Sequence, residues 1–460
     1  MQGVTHKYRG VNTGSFYLCL CGFIDIDISR VVIRMEQQQV FDVPKPRKAL
    51  FGEVTTPYSM INALLSQVPE ELLSTANICV DVGAGYGYFG VQLKKLLEER
   101  GNQTAAVLFA EANPFHVERL AMEHGGHNVL SGDFLSHDGE YDLLVGNPPY
   151  VVDGLKKVPT ATGKSKTDDG RTSWHQFVVH SLSLLREGGC LAMIVPSLWL
   201  RHDKAGIHDL LLQHQLIWMR SYGTSEANAL FKGKAQTPVV SFVLVKQPTD
   251  TACRVYCDCL EDTVPICLSR EMVIPTAGAS LVAKFWAARG KWGGISVKKS
   301  NTLPKHAVLT PDGAHENIRT VRLTGLNPKI VIEHSMEPLP WAGVPKVVLG
   351  HKMWGLPFVD EAGQYGISNR DNYIYVGENI AELHQMRDFF EIKAVRCLFN
   401  CFRYRMRYLE KEAFAALFDP RECLPVVSEE SVCEMLGLTV AEREYVCRNS
   451  GREYTRTTRN

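Results

Sequence analysis

The chain has 460 residues, enough for two or three domains, and its 45% hydrophobic content is that of a globular protein. Its 50 Lys and Arg balance 50 Asp and Glu, so net charge gives no reason to expect nucleic acid, and any basic surface must come from uneven placement. The 13 Cys are scattered as in reduced intracellular proteins, and no apolar run is long enough to span a bilayer, so a soluble intracellular protein is expected.

Residues 1–48 read as an N-terminal extension. Phe16 to Ile24 is short and apolar and is followed by Asp25 and Asp27, which makes a poor signal peptide. Met35 is a candidate true start, the residues before it being a leader. Gly52 to Pro57 leads into an amphipathic helix predicted over Tyr58–Leu73, with Thr56 or Ser59 near its start as a cap.

Asn77 to Val82 is predicted as a strand running into Gly83-Ala84-Gly85-Tyr86-Gly87, with a helix from Tyr88 to Arg100. Strand, glycine turn and helix let a backbone approach a nucleotide-like ligand closely, and Asp81 adds an acceptor. Gly85 to Gly90 also satisfies the dinucleotide pattern, which suits a nicotinamide cofactor equally well. The next strand, Ala105 to Phe109, ends at Glu111, an acid placed to accept both hydroxyls of a ribose. A helix over Pro114–Glu123 and a strand over Asn128–Leu130 follow. Asp133-Phe134 then offers a carboxylate for an adenine amino group and a ring to pack on the base.

The fourth strand, Tyr141 to Val145, ends in Asn147-Pro148-Pro149-Tyr150. Two prolines fix their own backbone angles and donate no N–H, so their carbonyls are free to point at something other than a ladder. An exocyclic planar amine is a poor nucleophile because its lone pair is delocalised. Asn147 and the Pro148 carbonyl could each take one N–H, and Tyr150 could stack on the flat ring. A strand-terminating turn is the plain alternative.

The polar loop Val151–Ser173 carries Lys156, Lys157, Lys164 and Lys166, which could meet phosphates or be a solvated insertion. A helix over Trp174–Arg186 closed by Gly188-Gly189, a strand over Cys190–Val195, a helix over about Lys204–Gln215, and strands over Leu216–Arg220 and Val239–Lys246 complete the pattern. The expected fold is α/β: a Rossmann-like sheet of about seven strands, the last pair antiparallel, over residues 49–250. After about Pro248 the βα rhythm stops, and residues 251–460 are expected to form a mixed α+β recognition region. Cys253, Cys257 and Cys259 match no paired zinc spacing and read as alternation along a strand; no metal is expected. Aromatics and cations mix in Phe285–Trp292 and in Phe402–Tyr408, where phosphate contact and an ordinary amphipathic helix are both open.

The order of motifs resembles the gamma class of N6-adenine DNA methyltransferases from restriction–modification systems, the group that includes the TaqI methyltransferase. The Thr56-Pro57 element comes first, then the glycine turn, then Asn147-Pro148-Pro149-Tyr150, then a large C-terminal part. The likeness covers about residues 50–248, including Leu185-Arg186-Glu187-Gly188-Gly189 and Val195-Pro196-Ser197-Leu198-Trp199-Leu200. It is fainter in Leu323–Pro328 and Pro345–Tyr375, where that family keeps its target-recognition domain. The resemblance implies S-adenosylmethionine as methyl donor across Gly83 and Gly85. Thr56 would hold its methionine end, Asp81 would sit near its amino group, Glu111 would take the ribose, and Asp133 with Phe134 the adenine. It implies duplex DNA as partner, a flipped-out adenine received by Asn147, Pro148, Pro149 and Tyr150, and room for a cognate restriction endonuclease. One departure is Lys204-Ala205, where family members can place a second aromatic; Trp199 is the candidate substitute.

A protein-glutamine N5-methyltransferase poses the same chemical problem and uses the same tetrapeptide, but such enzymes lack a large C-terminal part. An RNA base N-methyltransferase is a further alternative, and a catalytically dead DNA-binding subunit would have no need of an intact tetrapeptide. A chain ending near Lys246 is expected to bind S-adenosylmethionine if its exposed core remains folded, and to lose site-specific methylation.

Overall fold

The computed structural model describes residues 39, 51–151, 172–234, 237–300, 303, 307–324, 327–351, 356–404 and 408–451. Met35, the lysines of the 152–171 loop, Gly325, Leu326, Arg405 and Arg407 lie outside the described residues.

The central sheet has nine strands: β1 (Ile78–Val82), β2 (Ala106–Glu111), β3 (Val129–Ser131), β4 (Tyr141–Gly146), β5 (Leu185–Pro196), β6 (His214–Tyr222), β7 (Val239–Pro248), β8 (Cys253–Cys257) and β9 (Asp262–Ile266). Their order is β3-β2-β1-β4-β5-β7-β6-β8-β9. Strands β3 to β5 run parallel, β7 lies antiparallel between β5 and β6, and β8 pairs parallel with β6. The fold is thus the expected Rossmann-like one, with two more strands than the sequence suggested. The hairpin of β8 and β9 extends the sheet past residue 248. Cys253, Val255 and Cys257 alternate inward along β8.

Alternate residues of the central strands feed cores on opposite faces: Val80, Leu144, Leu191 and Met193 on one side, Cys79, Leu143, Cys190 and Ala192 on the other. Burial on both faces is why these strands read as continuous apolar runs. The order reverses at β1 and β4, and there Val82 pairs with Gly146. In an open parallel sheet the ligand crevice lies outside the carboxyl ends at that reversal.

Three predicted elements differ. The Tyr58–Leu73 helix is two helices, Tyr58–Leu65 and Glu70–Thr75, because Pro69 has no N–H to continue the first. The helix expected to end at Arg186 ends at Leu184; Arg186 to Gly189 form an irregularity between the Tyr141–Leu185 and Leu143–Cys190 pairs of β4 and β5. The helix expected over Lys204–Gln215 is only Ile207–Leu211. Gly206 before it is left-handed, φ +73°, and Asp203 takes the Ala205 and His208 N–H groups.

The C-terminal residues are not appended loosely. The core face holding Val80 and Leu144 continues into Leu281, Val282 and Phe285 of the helix Ala279–Trp292, and into Phe389, Phe399 and Phe418. Phe402 and Tyr404, expected among candidates for phosphate contact, are each 1% exposed, and the Tyr404 hydroxyl donates to the Ile274 carbonyl at 2.7 Å. Such aromatics drive packing and cannot reach DNA. Beyond them stand two small sheets. One holds β10 (Lys298–Lys299), β13 (Lys346–Gly350), β14 (Phe358–Asp360) and β16 (Asn372–Tyr375); the other holds β11 (His315–Thr324), β12 (Asn327–Ser335) and β15 (Gly366–Ile367).

Candidate active site

The site begins with Gly146. Its φ is +156°, and a Cβ there would stand 2.4 Å from the Val82 carbonyl oxygen. Only glycine lets β4 close on β1 at this point, and the chain then leaves the sheet as Asn147. The Asn147 amide nitrogen donates to Thr56 Oγ1 at 3.0 Å. Its Oδ1 is buried and has no partner among the described residues. An unpaired buried acceptor costs about 1–3 kcal/mol, and its place at the carboxyl end of β4, beside the glycine turn, is what sets this one apart.

Thr56 is therefore not the helix cap the sequence suggested. Pro57 occupies the cap position of Tyr58–Leu65, no side chain caps that helix, and buried Thr56 meets Asn147. The rest of the tetrapeptide is pinned from Ser173, whose hydroxyl donates to the Pro149 carbonyl at 2.8 Å and whose N–H donates to the Tyr150 carbonyl at 3.1 Å. Val151 and Thr172 form a bridge beside it. Tyr150 packs against the cores of both faces, its hydroxyl donates to Ile194 O at 3.4 Å, and burial pushes its phenol far up.

The glycine turn lies next to this motif. Gly83 has φ +70°, and a Cβ there would meet Pro149 Cδ at 3.5 Å and Pro148 Cα at 3.6 Å. Gly85, φ +54°, faces open space, and its N–H donates to Glu111 Oε2 at 2.6 Å. The other Glu111 oxygen accepts the Asn113 N–H at 2.7 Å. Each carboxylate oxygen keeps one lone pair beyond these bonds. Asp81, 1% exposed, accepts the Gly90 N–H at 2.8 Å in the first turn of Tyr88–Glu99. Burial, against the Gly90 bond and helped by Glu111, pushes its carboxyl up to about 7.

Asp133 is exposed and accepts the Leu135 N–H at 3.1 Å. Phe134 is buried, stacked on Phe177 at 6.1 Å with His180 edge-on at 5.2 Å, so its ring is occupied by packing. Trp199 likewise is fully buried against Phe242 and presents no face to a base, which removes the substitute suggested for the missing aromatic.

The structure thus brings Thr56, Gly83, Asn147, Pro148 and Pro149 together, with Gly85 and Glu111 adjoining. Glu53, Asn113, His116 and Ser173 were not among the sequence candidates. Glu53 Oε1 lies 2.7 Å from His116 Nε2, a contact between residues 63 apart with no local signal.

Residues 87–226 match the family model described as Eco57I restriction-modification methylase. A relative, the type II methyltransferase M.TthHB8I of Thermus thermophilus, is 35% identical over 91 residues, 16% of this chain and 20% of that one. The chain thus spans about one fifth of the curated relative it matches. Among solved structures, it is similar to the type I restriction-modification methyltransferase subunit of Streptococcus thermophilus at 19% identity, TM-score 0.33, covering 44% of this chain and 46% of that one. It is also similar to the type I restriction enzyme EcoKI M protein at 16% identity, TM-score 0.32, covering 46% and 49%. The match at 87–226 spans Glu111, Asp133 and the whole tetrapeptide, so over that stretch the chain is similar to Eco57I restriction-modification methylases, in keeping with the resemblance its motifs suggest.

Proposed function

We propose that the protein transfers a methyl group from S-adenosylmethionine to N6 of an adenine flipped out of duplex DNA. The observation that carries this is the buried, partnerless Oδ1 of Asn147 at the carboxyl end of β4. An acceptor held dry and unpaired is preorganised for an N–H that arrives with the substrate.

The residues present fit the donor. Gly83 and Gly85 keep the turn open for close backbone approach, Glu111 has a lone pair on each oxygen for the ribose hydroxyls, and exposed Asp133 is available to the adenine. When bound, S-adenosylmethionine supplies an electrophilic methyl group on a sulfonium sulfur. Asn147 Oδ1 and the Pro148 carbonyl would each accept one N–H of the amine, localising its lone pair and offsetting the positive charge that develops on nitrogen. Thr56 keeps the amide turned the right way, and the Tyr150 ring would hold the base by stacking.

Target recognition is assigned to residues 251–460. Across the β11–β12 hairpin Arg322 stands opposite Lys329, and both are exposed. Like charges opposite each other repel, and a phosphate between them relieves this. The test is incubation of unmethylated DNA with labelled donor, followed by nucleoside analysis. N6-methyladenine is expected; label in RNA or in a protein glutamine instead would replace this reading.

A further inference from the structure

The segment 51–57 lies along the carboxyl ends of β2 and β4 and touches three parts of the site. Gly52, φ +64°, sits under the tetrapeptide, where a Cβ would be 2.5 Å from the Val151 carbonyl oxygen and 3.0 Å from Pro149 Cβ. Glu53 reaches the other way: Oε1 is 2.7 Å from His116 Nε2, and Oε2 accepts from Asn113 Nδ2 at 3.5 Å. Thr56 accepts from the Asn147 amide.

The two anchors are deeply placed, the His116 and Glu53 side chains being 1% and 9% exposed. The tautomer with hydrogen on Nε2 lets the ring donate to the Glu53 carboxylate. Around them lie the cofactor-side groups. Asn113 gives its backbone N–H to Glu111 and its side-chain amide to Glu53. The His116 ring meets Tyr86 of the glycine turn edge-on at 4.5 Å. A buried acid–imidazole pair is weak as a source of stability, because desolvation offsets its attraction and apolar side chains would pack as well. Its geometric effect is definite: it ties the segment that carries Thr56 to the helix Pro114–His124, which Asn113 caps.

We infer that Glu53 and His116 are positioning residues of the methyl-transfer site, holding the 51–57 strap so that Thr56 keeps Asn147 Oδ1 turned toward the substrate amine. This rests on the reading of Asn147 as the amine acceptor. Glu53 and His116 are assigned no contact with donor or base; they act through Thr56.

The test is single-turnover methyl transfer from saturating labelled S-adenosylmethionine to unmethylated phage-length DNA, which contains every short site. Glu53→Ala, His116→Phe and Thr56→Val should each slow transfer about tenfold, while Glu53→Gln, which keeps an acceptor for the His116 N–H, should stay within about threefold of wild type. Because the residues act in series, Glu53→Ala with Thr56→Val should be no slower than Thr56→Val alone. If Glu53→Ala does not fold, His116→Phe takes its place in the same cycle. A purely structural pair would lower the melting temperature and leave the rate of the folded protein alone. Wild-type rates in Glu53→Ala and His116→Phe, or losses that multiply to about a hundredfold in the double variant, overturn the inference. A wild-type protein that methylates no DNA overturns the reading of Asn147 and this inference with it, and that control distinguishes the two failures.

Discussion

Asn147→Ala removes a buried acceptor of the site that has no partner among the described residues. The bond it would form is charge-assisted in the transition state, since the amine nitrogen becomes positive as the methyl arrives. Loss of one such preorganised partner costs about 2.7–4 kcal/mol, or roughly a hundredfold to a thousandfold in turnover. The ground state should notice little, because Asn147 lies at the end of β4 while Glu111, the expected ribose partner, lies at the end of β2. Donor affinity by calorimetry should therefore stay within about twofold while the single-turnover rate collapses. Asn147→Asp is the informative companion. It keeps an oxygen toward the amine, and the Thr56 hydroxyl can donate where it now accepts, so part of the rate should survive. A turnover in Asn147→Ala within tenfold of wild type, or a donor affinity that falls as far as the rate, would refute the assignment of Asn147 as amine acceptor.

Glu111→Ala strips acceptors from the Gly85 and Asn113 N–H groups as well as from the proposed ribose, so donor binding should weaken by about 1–3 kcal/mol by calorimetry; unchanged affinity would make Glu111 a brace of the turn alone. Asp81, raised to about 7, holds its proton in the folded state over a range where the unfolded chain has lost it. Its contribution to stability is present in full below about pH 4 and is lost as pH rises through about 7, so Asp81→Asn should flatten that fall in denaturant midpoints between pH 5 and pH 8. Reversing the exposed hairpin cations together, Arg322→Glu with Lys329→Glu, should weaken DNA binding and lower the salt slope by roughly 2, with donor binding intact; an unchanged slope places the phosphate contacts elsewhere. A chain ending at Lys246 loses β8 and the helix Ala279–Trp292, which cover the edge of β6 and the core face holding Phe242 and Leu244. It should aggregate, so the folded core on which donor binding by such a fragment depends is lost, and a soluble donor-binding fragment would contradict the shared core.

Periodicity made the parallel half of the sheet legible. Strands buried on both faces are apolar throughout, and glycines and prolines mark their ends, so β1, β2 and β4 were placed within a residue or two of the observed bounds. The candidate residues at those ends were singled out for the same reason, since Asp81, Glu111 and Asn147 each follow a recognisable apolar run. Elements whose identity depends on partners were not. The alternation of Cys253 and Cys257 suggested a strand, but that β8 and β9 join the main sheet is decided by the edge that β6 offers. Phe402 and Tyr404 look like a nucleic-acid surface in one dimension and are core because the sheet face needs covering.

Chemical type is a local property, and the apolar strand ending in Asn147-Pro148-Pro149-Tyr150, preceded by the glycine turn, carries the expectation of methyl transfer to an amine nitrogen. Orientation is not local. The group that holds the Asn147 amide is Thr56, 91 residues earlier, and the segment carrying Thr56 is tied down by Glu53 and His116, 63 residues apart. Hydrogen bonds need their partners within about 3 Å at a set angle, so only the folded backbone selects which of many polar side chains meet.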